Sequence, residues 1–87
     1  MDITIQDNRA GICLDIRVNR EQKIQDTLRI LQEGELIPGR DTARQIYSHR
    51  LKRTIDLELT YAQAGIYNGD ILQREEGSIV QQIEEKE

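Results

Sequence analysis

Ile12-Cys13-Leu14-Asp15-Ile16-Arg17-Val18 alternates strictly, with Ile12, Leu14, Ile16 and Val18 on one side of an extended chain and Cys13, Asp15 and Arg17 on the other. Successive strand side chains point to opposite faces. The stretch therefore reads as a strand with one buried and one solvated face, the habit of an antiparallel sheet. Upstream, Ile3-Thr4-Ile5-Gln6 alternates in the same way. Between the two lies Asp7-Asn8-Arg9-Ala10-Gly11, a polar stretch ending in glycine and the composition of a hairpin loop. Residues 2–6 and 12–18 are expected to pair as an antiparallel hairpin.

Downstream of the hairpin the period changes. Ile24, Leu28 and Leu31 sit at i, i+4 and i+7, one apolar stripe on an otherwise polar segment. With Asn19 as N-cap and Gly34 just past the end, the spacing predicts a helix over 21–33 laid by one side on the sheet. Pro38-Gly39 marks a turn. Residues 45–48 read as a third strand and 55–59 as a short fourth. Thr60 caps a helical turn that runs through Ala64 and is closed by Gly65. Asn68-Gly69-Asp70 is a tight turn supplying positive φ at Asn68 and Gly69, and 70–74 is a last strand with Ile71 or Leu72 inward. A long hairpin, one helix and then further strands is the β-grasp layout. The expected fold class is α+β, a mixed sheet of four to five strands covered by one main helix. It occupies residues 1–74, leaving 75–87 as an acidic C-terminal tail, either disordered or a short helix with Ser78 as its cap.

Composition narrows the function classes. Eighty-seven residues make one domain, and without Phe or Trp its core rests on Ile, Leu, Val and three Tyr. A single cysteine, Cys13, forms no internal disulfide, and no Cys/His cluster exists to hold a metal, so neither a metal nor another cofactor is expected. No apolar leader or membrane-length apolar run is present. The expectation is a soluble cytoplasmic protein without membrane insertion.

The net charge of −4 disfavours nucleic acid as the main ligand, but its distribution is uneven. Residues 40–53 carry Arg40, Arg44, Arg50, Lys52 and Arg53 against Asp41, whereas 54–87 carry eight acids against Arg74 and Lys86. Three readings of the basic stretch stand: a solvated loop and strand edge, a docking site for an acidic partner or for the chain's own tail, and a nucleic-acid contact. The last wants two or more aromatic rings on one face, and only Tyr47 and Tyr61 are candidates.

Catalytic chemistry is not expected. His49 is the only histidine, and a Cys13–His49 dyad across a sheet is weighed against an outward thiol and a surface imidazole, with Asp15 beside Cys13 opposing a thiolate. Glu75-Glu76 has nothing to hold a catalytic geometry. The outward sheet face offers Thr4, Gln6, Cys13, Asp15 and Arg17, with either Tyr47 and His49 or Ile46 and Ser48. Tyr47 is the expected anchor for a protein partner, flanked by Arg44, Arg50 and Arg53, because aromatic and Arg side chains dominate interface energetics.

Leu59-Thr60-Tyr61-Ala62-Gln63-Ala64-Gly65-Ile66-Tyr67-Asn68-Gly69-Asp70-Ile71-Leu72 carries a resemblance. This leucine, helical turn, Ala-Gly-Ile and Asn-Gly-Asp entry to a last strand resembles the ubiquitin-like proteins, and among them the YukD family of bacterial type VII secretion systems, over residues 2–74. Leu59 and Ile66 are expected to plug the open end of the core. The resemblance implies a non-conjugated protein-binding module, a cytosolic accessory subunit docked on a membrane-anchored secretion component, compatible with a weak homodimer. Two departures stand beside it, the basic 40–53 stretch and the extension over 75–87. A ubiquitin-like modifier or sulfur carrier is the alternative. It needs C-terminal processing, since the sequence ends Glu84-Glu85-Lys86-Glu87 rather than Gly-Gly. A basic-patch nucleic-acid binder is the second alternative.

Overall fold

The alternating stretches fold as the expected hairpin: β1 (Asp2–Asp7) pairs antiparallel with β2 (Ile12–Arg17), Ile3 opposite Ile16 and Ile5 opposite Leu14. This structure is a computed structural model, and it describes residues 1–38 and 44–74. Its remaining elements are α1 (Ile24–Glu33), β3 (Gln45–Ser48), β4 (Arg53–Asp56), α2 (Tyr61–Ala64) and β5 (Ile71–Arg74). The strands form one mixed sheet in the order β2-β1-β5-β3-β4, with β1 and β5 parallel and every other pair antiparallel. This is the five-stranded ubiquitin-like β-grasp sheet with one main helix.

The core lies between α1 and the inner sheet face. Ile24, Leu28 and Leu31 of the helix are buried with Ile3, Ile5, Ile46, Ile55 and Leu72 of the strands. Tyr61 of α2 is buried too, and its hydroxyl donates to Thr27 Oγ1 on α1 at 2.8 Å. Burial pushes this phenol up to about 12. Ile66 is buried as expected, and Leu59 packs half-buried against the core.

Several boundaries differ from the expectations, each for a local reason. The main helix begins at Ile24 rather than 21, and Asn19 does not cap it. The Asn19 side chain instead accepts from Glu21 N–H at 2.8 Å, closing a turn ahead of the helix. The first helical amides go to backbone: Ile24 N–H donates to Leu59 O and Gln25 N–H to Leu57 O. The returning chain does what a cap side chain otherwise does. At the other end Gly34 has φ −84, and the left-handed residue is Glu35 at φ 60. Leu36 N–H donates to Leu31 O and Glu35 N–H to Gln32 O, a complete Schellman closure with a glutamate in the seat usually held by glycine. β4 occupies Arg53–Asp56 rather than 55–59, because Leu57 and Leu59 are drawn off to serve the helix start. Thr60 and Gln63 form a capping box and Gly65 closes α2 at φ 77, as expected. In the following turn Gly69 takes positive φ and Asn68 does not; Asn68 Oδ1 accepts from Asp2 N–H at 2.7 Å. Gly39 of the expected Pro38-Gly39 turn, Arg40 and the tail over 75–87 with its helix lie outside the described residues.

One feature was not expected at all. The inward positions at the ends of β1 and β5 hold Asp7 and Arg74, joined by a bond of 2.9 Å from Arg74 Nη1 to Asp7 Oδ2, with side chains 2% and 1% exposed. Asp7 Oδ1 also accepts from Ala10 N–H at 3.2 Å, so the same carboxylate shapes the hairpin loop.

Candidate protein-interaction surface

Alternation fixes the outer sheet face. Ile46 and Ser48 point inward and are buried, so Tyr47 is the outward residue of β3, which decides the choice left open by the sequence. Register then places Thr54, Tyr47, Gln73, Gln6 and Cys13 side by side in one row across β4, β3, β5, β1 and β2. A second row holds Ile71, Thr4 and Asp15, and His49 joins it through a bond from its N–H to Ile71 O. The two rows are tied by side chains. The Tyr47 and His49 rings meet edge to face at 5.6 Å and 73°, and His49 Nε2 lies 2.9 Å from Gln73 Oε1. On the far strands Thr4 Oγ1 donates to Asp15 Oδ1 at 2.7 Å. Arg17 Nε donates to Asp2 Oδ1 at 2.8 Å, and that bond holds the exposed Asp2 carboxyl below its ordinary range. The face is thus largely polar, with the Tyr47 ring on β3, one strand in from the β4 rim.

The four residues singled out in the sequence do not form one patch. Arg44 immediately precedes β3, where its carbonyl accepts from Leu57 N–H. Arg50 follows β3 at the opposite end. Its guanidinium carbon sits 4.6 Å from the centroid of the Tyr67 ring, a cation–π stack. Arg53 lies opposite Ser48 and shares the side of β4 that carries buried Ile55, so it does not share a face with Tyr47. Tyr47 and Arg50 thus lie near one end of β3; Arg53 stands at that end too, on the inner side of β4, and Arg44 lies at the other end.

Sequence reasoning missed Tyr67, Ser48 and Asp70. Tyr67 is 52% exposed and makes the stack with Arg50. Asp70, read as part of a turn, is buried below the β3–β4 connection with Ser48. The signal for Ser48 was a polar residue at an inward position of the 45–48 alternation. Tyr67 and Asp70 had none, since both depend on a contact 17 to 22 residues away in sequence.

Cys13 is exposed on the edge strand, and His49 lies at the β3 end of the face, three strand spacings or about 14 Å across. The two do not form a dyad. Among the described residues no group of three or more His, Cys, Asp or Glu is arranged to hold a metal ion, and no helix is long and apolar enough to cross a membrane.

No known family profile matches the chain, and no curated protein is similar to it in sequence. Among solved structures it is similar to a de novo designed protein based on ubiquitin, at 18% identity and a TM-score of 0.67, over 95% of each chain. That likeness shows the ubiquitin-like fold.

Proposed function

We propose that this chain is a non-conjugated ubiquitin-like protein-binding module that docks through the outer sheet face around Tyr47. The observation that carries the reading is Tyr47 itself, an aromatic side chain held outward on β3 by register and in edge-to-face contact with His49. A ring already fixed by its neighbour loses little freedom on binding, which is what makes an aromatic residue an effective anchor. Polar neighbours such as Gln73, Gln6 and Thr4 keep the face wet until a partner covers it, and each offers hydrogen bonds around the anchor.

The finer proposal is an accessory subunit of a bacterial type VII secretion system, cytosolic and recruited to a membrane-anchored component. Its support is the resemblance over residues 59–72, together with the local geometry of that segment: the capping box at Thr60 and the left-handed Gly65 and Gly69. A pull-down from the native host tests both levels, with wild-type and Tyr47→Ala chains as bait. Recovery of secretion components by the wild type, and their loss with Tyr47→Ala, is the expected result. If both baits recover the same proteins, the surface is wrong; if none of those proteins belongs to a secretion complex, the role is wrong.

A further inference from the structure

The cations after β3 ride on a turn that the molecule holds rigidly from below. Ser48 Oγ donates to Asp70 Oδ2 at 2.7 Å, Arg50 N–H donates to Asp70 Oδ1 at 3.1 Å, and Leu51 N–H donates to Ser48 Oγ at 3.0 Å. Lys52 N–H donates to Ser48 O at 2.7 Å. Ser48 and Asp70 are 0% and 1% exposed. A buried carboxylate is unfavourable unless hydrogen bonds replace its water, and here those bonds come from the turn itself. Lys52 stands at φ 59, a conformation that glycine enters freely and lysine does not. Arg50 is stacked on the ring of Tyr67. Residues 44–53 include Arg44, Arg50, Lys52 and Arg53 and no acid, on a chain whose net charge is −4.

We infer that the 49–53 turn docks an acidic polypeptide segment of a partner protein, with Arg50, Lys52 and Arg53 pairing its carboxylates and Tyr67 receiving an apolar side chain beside them. The inference rests on the protein-binding reading above and names the chemistry of the partner. Charge complementarity selects an acidic occupant; the chain's own acidic residues 75–87 are the competing one, and amide shifts at 49–53 that follow deletion of those residues rather than addition of a peptide overturn the partner reading. A fixed cationic turn gains more from carboxylates than a mobile one, because its ordering cost is already met within the fold. A nucleic acid fits less well. Arg50, Lys52 and Arg53 span only one short turn of a chain whose net charge is −4, which gives a phosphate backbone few contacts and little attraction.

The test uses the full chain, labelled with ¹⁵N, and a decaglutamate peptide as the probe. Amide shifts at residues 49–53 and Tyr67 are expected, with affinity falling by about tenfold or more between 50 and 500 mM salt. Lys52→Glu combined with Arg53→Glu, both on exposed positions, is expected to abolish them while the thermal melt stays cooperative. Shifts that are absent or lie elsewhere overturn the inference. So does tighter binding of decathymidylate, or an equal response to inorganic phosphate alone. The native-host pull-down separates the two claims. Loss of the partner with Tyr47→Ala but not with the charge-reversed chain leaves the sheet-face reading standing and removes the acidic segment. Loss with the charge-reversed chain, restored by the wild type, supports the inference.

Discussion

Burying Arg74 against Asp7 takes two charges out of water, and their mutual attraction repays that cost only while both are present. Arg74→Met on its own is expected to destabilise the chain by about 3–5 kcal/mol in urea melts, because it strands a buried carboxylate. Asp7→Leu added to Arg74→Met is expected to recover part of the loss by removing the stranded carboxylate, the remainder reflecting the Ala10 N–H that loses its acceptor. A double variant no more stable than Arg74→Met would show that the stranded carboxylate is not the source of the loss. The pair was not legible in the sequence. Asp7 follows two clear alternations of isoleucine but opens the polar loop stretch, and Arg74 closes a last strand whose inward side the sequence leaves open between Ile71 and Leu72. By contrast, the outward place of Tyr47 was half legible: alternation put it opposite Ile46, and only the burial of Ile46 and Ser48 settled which of the two faced the core.

The end of α1 shows what periodicity does and does not reveal about an element. The Ile24, Leu28, Leu31 stripe gave the helix and its buried side, and the structure buries all three. The boundaries were less accessible, because they depend on backbone partners rather than side-chain pattern. The helix start is satisfied by carbonyls of Leu57 and Leu59, residues whose sequence pattern predicts strand. At the helix end a glycine one residue early misled the reading, since the left-handed seat belongs to Glu35. Placing glycine in that seat removes the clash between Cβ and the following carbonyl. Glu35→Gly is therefore expected to stabilise the protein by about 0.5–1 kcal/mol, the relief being partly offset by the greater freedom of glycine in the unfolded chain. Thermal melts of the two chains measure it, and a loss of stability would mean that Glu35 makes a contribution the Schellman closure does not explain.

For the molecule as a whole, the β-grasp topology was legible because hairpin, helix and last strand each carry their own signal, and their order leaves few ways to form one sheet. Global stability also has a readable dependence on alkali. Tyr61 has its phenol raised to about 12, above the value of about 10 expected in the unfolded chain. Its contribution is complete below pH 10 and is lost as pH rises from about 10 towards 12, by roughly 2–3 kcal/mol in total. Tyr61→Phe lacks the titrating group, so its urea-derived stability is expected to fall less steeply across that window, from a baseline lowered by loss of the bond to Thr27. Parallel curves for the two chains would show that the Tyr61 phenol does not titrate against the fold. The parallel pairing of β1 and β5 at the middle of the sheet has a mechanical consequence. Tension applied between residues 1 and 74 pulls these two strands past each other lengthwise, so their shared hydrogen bonds bear the load together rather than opening one at a time. The Asp7–Arg74 bond joins the same two strands and adds to that resistance. Force drawn through β2 or β4, at the rims, meets single rungs in succession, so the molecule is stiff along one axis and yields readily along others.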